Sequence, residues 1–246
     1  MAQAVSAARS MPDRRVAILQ SNYIPWKGYF DLLNSVDDFI FYDEVQYTKN
    51  DWRNRNRLKT AQGVQWLTIP VRQEKLGQKI SEMRVVDAAW GRKHWRTVAQ
   101  AYARAPYFGQ YHDALEQLYC YPASDYLSEI NQRFIRAING WLGIQTRLYS
   151  AADFAVHGDR TARLVQLVQA VGGTEYVSGP AAAAYLEAEQ FARAGIALTW
   201  MSYEGYPEYQ QLHGPFEHRV SVLDLLLNTG SASREYMLSF PGRLAQ

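Results

Sequence analysis

The stretch RVAILQSNYIPWKGYFDLLNSVDDFIFY, residues 15–42, determines the fold. Its two short apolar runs, residues 16–19 and 39–42, have the continuous apolar character of strands that are buried on both faces. Between them, residues 26–36 carry apolar side chains at helical spacing. A strand, a helix and a second strand in this order predict a right-handed βαβ unit with parallel strands.

The rest of the chain continues the alternation of helices and strands. Apolar patterns predict a further buried strand at residues 66–71, short strands at residues 146–150 and 175–180, and a strand at residues 196–201. They predict helices at residues 90–103, 111–118, 126–141, 159–171 and 181–194. We therefore expect an α/β fold with a Rossmann-like, mostly parallel sheet flanked by helices, and a helical middle segment inserted at about 88–142. A single domain over residues 15–235 would lie between a disordered tail, residues 1–14, and a C-terminal tail, residues 236–246.

Composition and charge exclude several classes of protein. The 246 residues are 48% apolar and 13% aromatic, which is typical of a folded domain rather than a disordered chain. The formal net charge of +2, from 26 Lys and Arg against 24 Asp and Glu, argues against nucleic acid as a partner. The single cysteine, Cys120, excludes an internal disulfide. No run of apolar residues reaches membrane-spanning length, so we expect no membrane span and a soluble protein of the cytoplasm.

A polar loop follows the first predicted strand. It contains five candidate binding residues: Gln20, Asn22, Tyr23, Trp26 and Lys27. The loop lies at the edge where open α/β sheets bind their ligands, which predicts that it binds a polar ligand. Neither Gly-x-x-x-x-Gly-Lys-Ser/Thr nor Gly-x-Gly-x-x-Gly is present, so the loop carries neither of these nucleotide-binding motifs. The alternative is an ordinary turn with a packed tryptophan.

A basic segment, residues 43–59, follows the second predicted strand. In an extended chain its three arginines would share one face and its asparagines the other. Guanidinium groups bind phosphate or carboxylate bidentately, which predicts an anionic ligand, and a solvated strand edge is the alternative. Aromatic residues among the arginines would also suit RNA, but a single short basic run argues against RNA binding. The candidates here are Gln46, Arg53, Asn54, Arg55 and Arg57 for binding, and Asp51 as an acid or base.

Candidate acids, bases and nucleophiles are few. The five histidines show no metal-ligand spacing, so no metal is expected. His94, on a predicted helix, is the first choice for a general base because imidazole titrates near neutrality. Cys120 has no basic neighbour and Gly-x-Ser-x-Gly is absent, which argues against covalent catalysis. For the tyrosines after the last predicted strand, core packing is the alternative to ligand contact. The further candidates for ligand contact are Ser178, Tyr203, Tyr206 and Tyr209.

Six segments of the sequence together resemble the WbqC-like protein family. They are residues 16–31 (VAILQSNYIPWKGYFD), 41–48 (FYDEVQYT), 51–60 (DWRNRNRLKT), 66–71 (WLTIPV), 176–180 (YVSGP) and 206–211 (YPEYQQ). Members of this family occur in O-antigen and other polysaccharide gene sets, some of them with sugars that carry an aminoacyl amide. The resemblance therefore implies transfer of an acyl or aminoacyl group, such as glycyl, to the amine of a sugar or a similar acceptor.

Three functions remain open. The first is an amide-forming acyl- or aminoacyltransferase, in which the arginines bind a phosphate, His94 or Asp51 takes the amine proton, and Lys27 stabilises the oxyanion. Its donor would be a thioester of coenzyme A or of phosphopantetheine on a carrier protein, its acceptor a nucleotide-linked amino sugar or similar small molecule, and no cofactor is expected. The second is an ATP-dependent, adenylate-forming amide ligase, although the paired histidines of such enzymes are missing. The third is a non-catalytic protein that binds a sugar nucleotide or a carrier protein.

Overall fold

The computed structural model describes residues 13–240, which contain nine strands and seven α-helices. The strands are β1 (Arg15–Leu19), β2 (Asp38–Phe41), β3 (Arg55–Thr60), β4 (Gly63–Thr68), β5 (Val71–Arg72), β6 (Arg84–Val85), β7 (Arg147–Ser150), β8 (Glu175–Ser178) and β9 (Ala197–Trp200). The helices are α1 (Lys27–Asn34), α2 (Trp90–Tyr102), α3 (Phe108–Cys120), α4 (Leu127–Leu142), α5 (Arg160–Ala170), α6 (Ala188–Arg193) and α7 (Val222–Thr229).

Five of the strands form one sheet in the order β7-β2-β1-β8-β9. Every neighbouring pair in this sheet is parallel. The chain proceeds from β1 to β2 on one side and from β8 to β9 on the other, so the direction of winding reverses between β1 and β8. This doubly wound arrangement confirms the predicted α/β fold with its parallel, Rossmann-like sheet.

The two faces of the sheet are covered by different helices. Side chains of β1 alternate between the faces, as the pleat requires. Ala17 lies in the larger apolar core, which includes side chains of α1, of the helical middle segment α2 to α4, and of α7. Val16 and Ile18 lie in a smaller core that α5 and α6 cover. The helical middle segment is therefore observed, packed on one side of the sheet.

The expected buried strand at residues 66–71 is wrong. β4 ends at Thr68 and pairs antiparallel with β3 in a two-stranded hairpin outside the main sheet. Along β4 only Leu67 is buried, and Trp66 is 47% exposed. The run looks buried in the sequence because apolar residues adjoin each other, whereas the core covers only one side of the hairpin.

The predicted helix at residues 181–194 is also wrong, because the structure divides it. A 3₁₀ turn, Pro180–Ala184, precedes α6, and the residues between them are not helical. Tyr185 has a φ of −139°, and Leu186 packs against the smaller core. Packing of Leu186 against the core therefore accompanies the break in the helix.

Packing extends beyond both predicted domain boundaries. Before residue 15, the main-chain N–H of Arg14 donates to the hydroxyl of Thr174 at 2.9 Å. After residue 235, Met237 is fully buried and the N–H of Ser239 donates to Asp31 at 2.9 Å. Residues 1–12 and 241–246 of the predicted tails lie outside the described residues. Within residues 13–240, no helix has the length and apolar character needed to cross a membrane.

Candidate functional site

A cavity of about 980 Å³ lies at the carboxyl ends of β1, β2 and β8. We name it the switch-point cavity, because the sheet reverses its winding between β1 and β8 and open α/β sheets bind ligands at such points. Five of the residues proposed from the sequence line it. They are Gln20, Gln46, Asp51, Arg53 and Ser178. The loops after the central strands therefore meet at one place.

Four basic side chains line the switch-point cavity, and two of them have acidic partners. Arg53 pairs with Asp51 at 3.5 Å, and Lys79 pairs with Glu44 at 2.7 Å. The other two basic side chains lie on α5 and form no ion pair with any residue of the described range 13–240. These two are Arg160 and Arg163. The cavity therefore has a surplus of positive charge on its α5 side.

A second cavity, of about 600 Å³, is lined by aromatic rings together with polar and charged side chains, among them Glu204 and Arg219. Its rings include Trp26, Trp52, Tyr203 and Tyr206, and we name it the aromatic cleft. Trp26 contacts the two tyrosines edge to face, with ring centroids 5.3 and 5.7 Å apart. His218 also lines the cleft, and its pKa is lowered by burial and by the charge of Lys27. Flat, partly apolar surfaces of this kind suit a sugar ring or a nucleobase.

A hydrogen bond between two side chains joins the two cavities. The guanidinium of Arg53, in the switch-point cavity, donates to the side-chain oxygen of Asn22, which lines the aromatic cleft. The side-chain amide of Asn131, on α4, donates to the main-chain carbonyl of Arg53 at 2.8 Å and so fixes this part of the chain. The two cavities are therefore neighbours that share the Arg53 and Asn22 pair as a wall.

Two residues proposed from the sequence, Tyr23 and His94, lie in neither cavity. Both are buried, His94 with 8% exposure, and the Tyr23 hydroxyl lies 2.8 Å from Nδ1 of His94. Burial lowers the pKa of His94 to about 4, although a hydrogen bond to the main chain of Thr68 opposes the shift. The imidazole is therefore neutral at pH 7 and packs beside Trp90 in the core.

Lys27 and Tyr209 also line neither cavity. Lys27 is 3% exposed, and its ammonium group donates to the carbonyl of Pro207 at 3.2 Å and lies 4.8 Å from the ring centroid of Tyr206. Burial lowers the pKa of Lys27 to about 8. The Tyr209 hydroxyl donates to Asp224 at 2.7 Å in the core. Both side chains therefore support the aromatic cleft from behind, through Tyr206 and the segment that follows it.

The predicted alternation of arginine and asparagine is present, but the three arginines do not line one cavity. Asn54 is buried and donates to a main-chain carbonyl. Arg55 and Arg57 lie over Trp66, with guanidinium carbons 4.3 and 5.8 Å from the ring centroid. Of the three, Arg53 alone lines the switch-point cavity.

Several residues of the two cavities were missed by sequence reasoning. Among them are Tyr42, Lys79, Arg160 and Arg163 in the switch-point cavity, and Trp52, Glu204 and His218 in the aromatic cleft. The sequence does contain a pattern that could have indicated Arg160 and Arg163. They are three residues apart, just after the N-cap Asp159, and so share a helix face. Among residues 13–240, no group of three His, Cys, Asp or Glu side chains is arranged to hold a metal ion.

Comparison with known proteins identifies the family. The model of the WbqC-like protein family matches residues 20–236. The chain is similar to the uncharacterized protein Rv1507c of Mycobacterium tuberculosis (strain ATCC 25618 / H37Rv), with 46% identity over 225 residues that cover 91% of this chain and 97% of the relative. No solved structure matches the chain. All the candidate site residues lie inside the matched region, and the chain belongs to the WbqC-like protein family, as the six sequence segments predicted.

Proposed function

We propose that the protein is an acyl- or aminoacyltransferase that forms an amide on an amino sugar or a similar amine in polysaccharide, O-antigen or specialised-metabolite biosynthesis. The observation that carries this proposal is the pair of unlike cavities joined by Arg53 and Asn22. The basic switch-point cavity suits a substrate with phosphate groups, and the aromatic cleft suits a ring that stacks. A transfer between two substrates needs two such neighbouring subsites.

The chemistry requires a base but no covalent intermediate. The amine nitrogen attacks the thioester carbonyl carbon, the C–N bond forms, and the C–S bond breaks to release a thiol that finally takes up the proton lost by the amine. His218 is the base in this proposal, because it lines the aromatic cleft and because burial and the charge of Lys27 lower its pKa, which leaves it neutral at pH 7. His94 is set aside because it lies in neither cavity. Arg53, paired with Asp51, would stabilise the oxyanion.

The donor would be a thioester of coenzyme A or of a carrier protein, and the acceptor a small molecule such as a nucleotide-linked amino sugar. Both are metabolites of the cytoplasm, where we expect the reaction to occur. The protein itself would supply binding, orientation and proton transfer, so no resident cofactor enters the proposal.

A second candidate is an ATP-dependent amide ligase, and the strand order favours it. Doubly wound sheets with this order bind nucleotides at the point where the winding reverses. In this reaction a carboxylate attacks the α-phosphate of ATP, an acyl adenylate and pyrophosphate form, and the amine then displaces AMP. The two arginines of α5 that line the cavity would face the phosphate chain.

The deciding experiment incubates the purified protein with an acyl- or aminoacyl-thioester and a nucleotide-linked amino sugar, and detects the amide by mass spectrometry. The donor is supplied on coenzyme A and, separately, on a holo carrier protein. We expect an amide without ATP. An amide that forms only from the free acid with ATP would establish the ligase. Binding of both substrates without product from any pair would leave a non-catalytic binding protein.

A substitution at His218 tests whether this residue is the general base. His218→Gln should lower kcat by about 10²- to 10⁴-fold with little change in KM, because general-base catalysis contributes that much. His157→Gln removes an exposed histidine that lines neither cavity, and should change neither constant. An unchanged kcat in His218→Gln would remove this residue from the mechanism.

A further inference from the structure

We infer that Arg160, Arg163 and the hydroxyl of Tyr42 form a binding site for the diphosphate group of a substrate in the switch-point cavity. The inference rests on the proposed function for the kind of substrate, because coenzyme A and nucleotide-linked sugars both carry a diphosphate ester. It places the anion site on α5, whereas the sequence indicated the face of Arg53, Arg55 and Arg57, of which Arg53 alone lines this cavity.

The two arginines of α5 form no ion pair within residues 13–240, although the N–H of Ala162 and, more weakly, the charge of Arg163 lower the pKa of Asp159. Arg163 donates from Nε to the main-chain carbonyl of Asp159 at 3.3 Å, and the guanidinium carbon of Arg160 lies 4.6 Å from the ring centroid of Tyr185. The carboxylate of Asp159 caps α5 by accepting from the N–H of Ala162 at 2.8 Å. Residues three apart are neighbours on a helix face, so the two guanidinium groups can contact adjacent phosphates. Their combined charge matches that of a diphosphate ester.

A buried hydroxyl in the same cavity has no partner. Tyr42 follows β2, lines the cavity and is 6% exposed, yet its hydroxyl has no hydrogen-bond partner within residues 13–240. Burial raises the pKa of Tyr42, and Arg163 and Arg160 oppose this rise, so the charges of both arginines reach the hydroxyl. Buried polar groups in proteins are nearly always hydrogen-bonded. A phosphate oxygen held by the two arginines would be the acceptor for this hydroxyl.

The position that dinucleotide-binding folds use for phosphate is covered in this protein. In those folds the phosphate lies at the N-terminus of the helix that follows the first strand. Here the indole of Trp26 lies over that end of α1, since a Cβ on Gly28 would be 2.3 Å from the indole ring. The first helical residue, Lys27, is buried. An anion at the switch point must therefore be held by another element, and α5 presents two guanidinium groups there.

Isothermal titration calorimetry of the purified protein tests this site with four probes: UDP, coenzyme A, pyrophosphate and UMP. The variants are Arg160→Gln, Arg163→Gln and Tyr42→Phe. Arg193→Gln on α6 is the matched control, because Arg193 also donates from Nε to the carbonyl four residues earlier, at 3.3 Å, but does not line the cavity. UDP and coenzyme A represent the two sources of the diphosphate, and UMP carries one phosphate fewer.

We expect UDP or coenzyme A to bind more tightly than UMP. Each arginine variant should raise the Kd of the bound diphosphate by about tenfold or more, and Tyr42→Phe by about threefold, with Arg193→Gln within about twofold of wild type. Binding of UDP alone or of coenzyme A alone supports the site and identifies the source of the diphosphate.

Two results would overturn the inference: an unchanged Kd in both arginine variants, or no binding of any of the four probes at about 1 mM. Diphosphate binding that depends on α5, without amide formation from any substrate pair, would refute the proposed transferase and leave this site standing. Amide formation that is unaffected by either arginine variant would support the transferase and refute this diphosphate site.

Discussion

At the residue scale, Lys27 leads to a prediction about pH. Its pKa is lowered from 10.5 to about 8 because the side chain is buried, although nearby carboxylates oppose the shift. Between these values the unfolded chain binds a proton that the folded chain has lost, so a rise in pH favours the folded state. We expect the Tm of the wild type to increase relative to that of Lys27→Met between about pH 8 and about pH 10, as measured by differential scanning calorimetry.

Other groups titrate over the same range, but both proteins contain them, so the difference in Tm isolates the lysine. Lys49→Met removes an exposed lysine and controls for the loss of a positive charge at the surface. A difference between wild type and Lys27→Met that stays constant over this range would contradict the lowered pKa.

Some site residues were predictable because they follow strands. Gln20 and Ser178 come directly after or at the end of β1 and β8, and parallel strands bring their carboxyl ends to one edge. His94 was chosen for the ordinary pKa of imidazole, but its burial depends on how α2 packs, which no local pattern contains. In the sequence, Arg160 and Arg163 look like residues at the start of a capped surface helix. Their position close to the end of β2 depends on tertiary packing, which no local pattern contains.

At the scale of elements, the contact between α2 and α3 depends on Gly91. A Cβ at this position would lie 1.8 Å from the main-chain carbonyl oxygen of Tyr119, an atom that cannot move without shifting the end of α3. We expect Gly91→Ala to lower the free energy of unfolding by about 1–3 kcal/mol, because the helices must separate. Urea denaturation followed by circular dichroism measures this change.

The matched control is Gly140→Ala on α4, where a Cβ would meet nothing within 4 Å. This substitution should raise the free energy of unfolding by about 0.5–1 kcal/mol, because alanine favours the helix over glycine. Equal stability of Gly91→Ala and the wild type would show that α2 and α3 can separate at no cost.

In the central sheet, β1 and β2 were predictable because a strand buried on both faces requires a continuous apolar run, whereas the edge strands β7 and β9 are only partly buried. The same rule failed for residues 66–71, since a run of apolar residues does not reveal whether a hairpin has one covered side or two. The prediction of a helix failed for residues 181–194. This alanine-rich segment has helical composition, but Leu186 packs against the smaller core instead of continuing the helix. In both cases tertiary packing overrode a local preference.

At the scale of the whole molecule, Asp224 connects distant parts of the chain. From α7, its buried carboxylate accepts from the hydroxyl of Tyr102 on α2 at 2.8 Å and from that of Tyr209, after β9, at 2.7 Å. Burial raises the pKa of Asp224 despite these bonds. Asp224→Asn replaces one acceptor oxygen with a donor, so we expect the free energy of unfolding to fall by about 1–3 kcal/mol in urea denaturation.

Asp113→Asn, which changes a solvent-exposed carboxylate on α3, is the control and should unfold at the same urea concentration as the wild type. If Asp224→Asn also unfolds there, the hydrogen bonds that Asp224 accepts from the two tyrosines and from Gln211 contribute no net stability.

The strand order also has a consequence for the chain as it is synthesised. β1 lies between β2 and β8, and Arg15 pairs with Glu175, so one neighbour of β1 is made about 160 residues later than β1 itself. At ribosomal rates this delay is roughly 10–30 s. During that time the edge of β1 that β8 will cover is an open template for pairing with other strands. The arrangement that builds the switch-point cavity therefore exposes the nascent protein to aggregation until β8 has emerged.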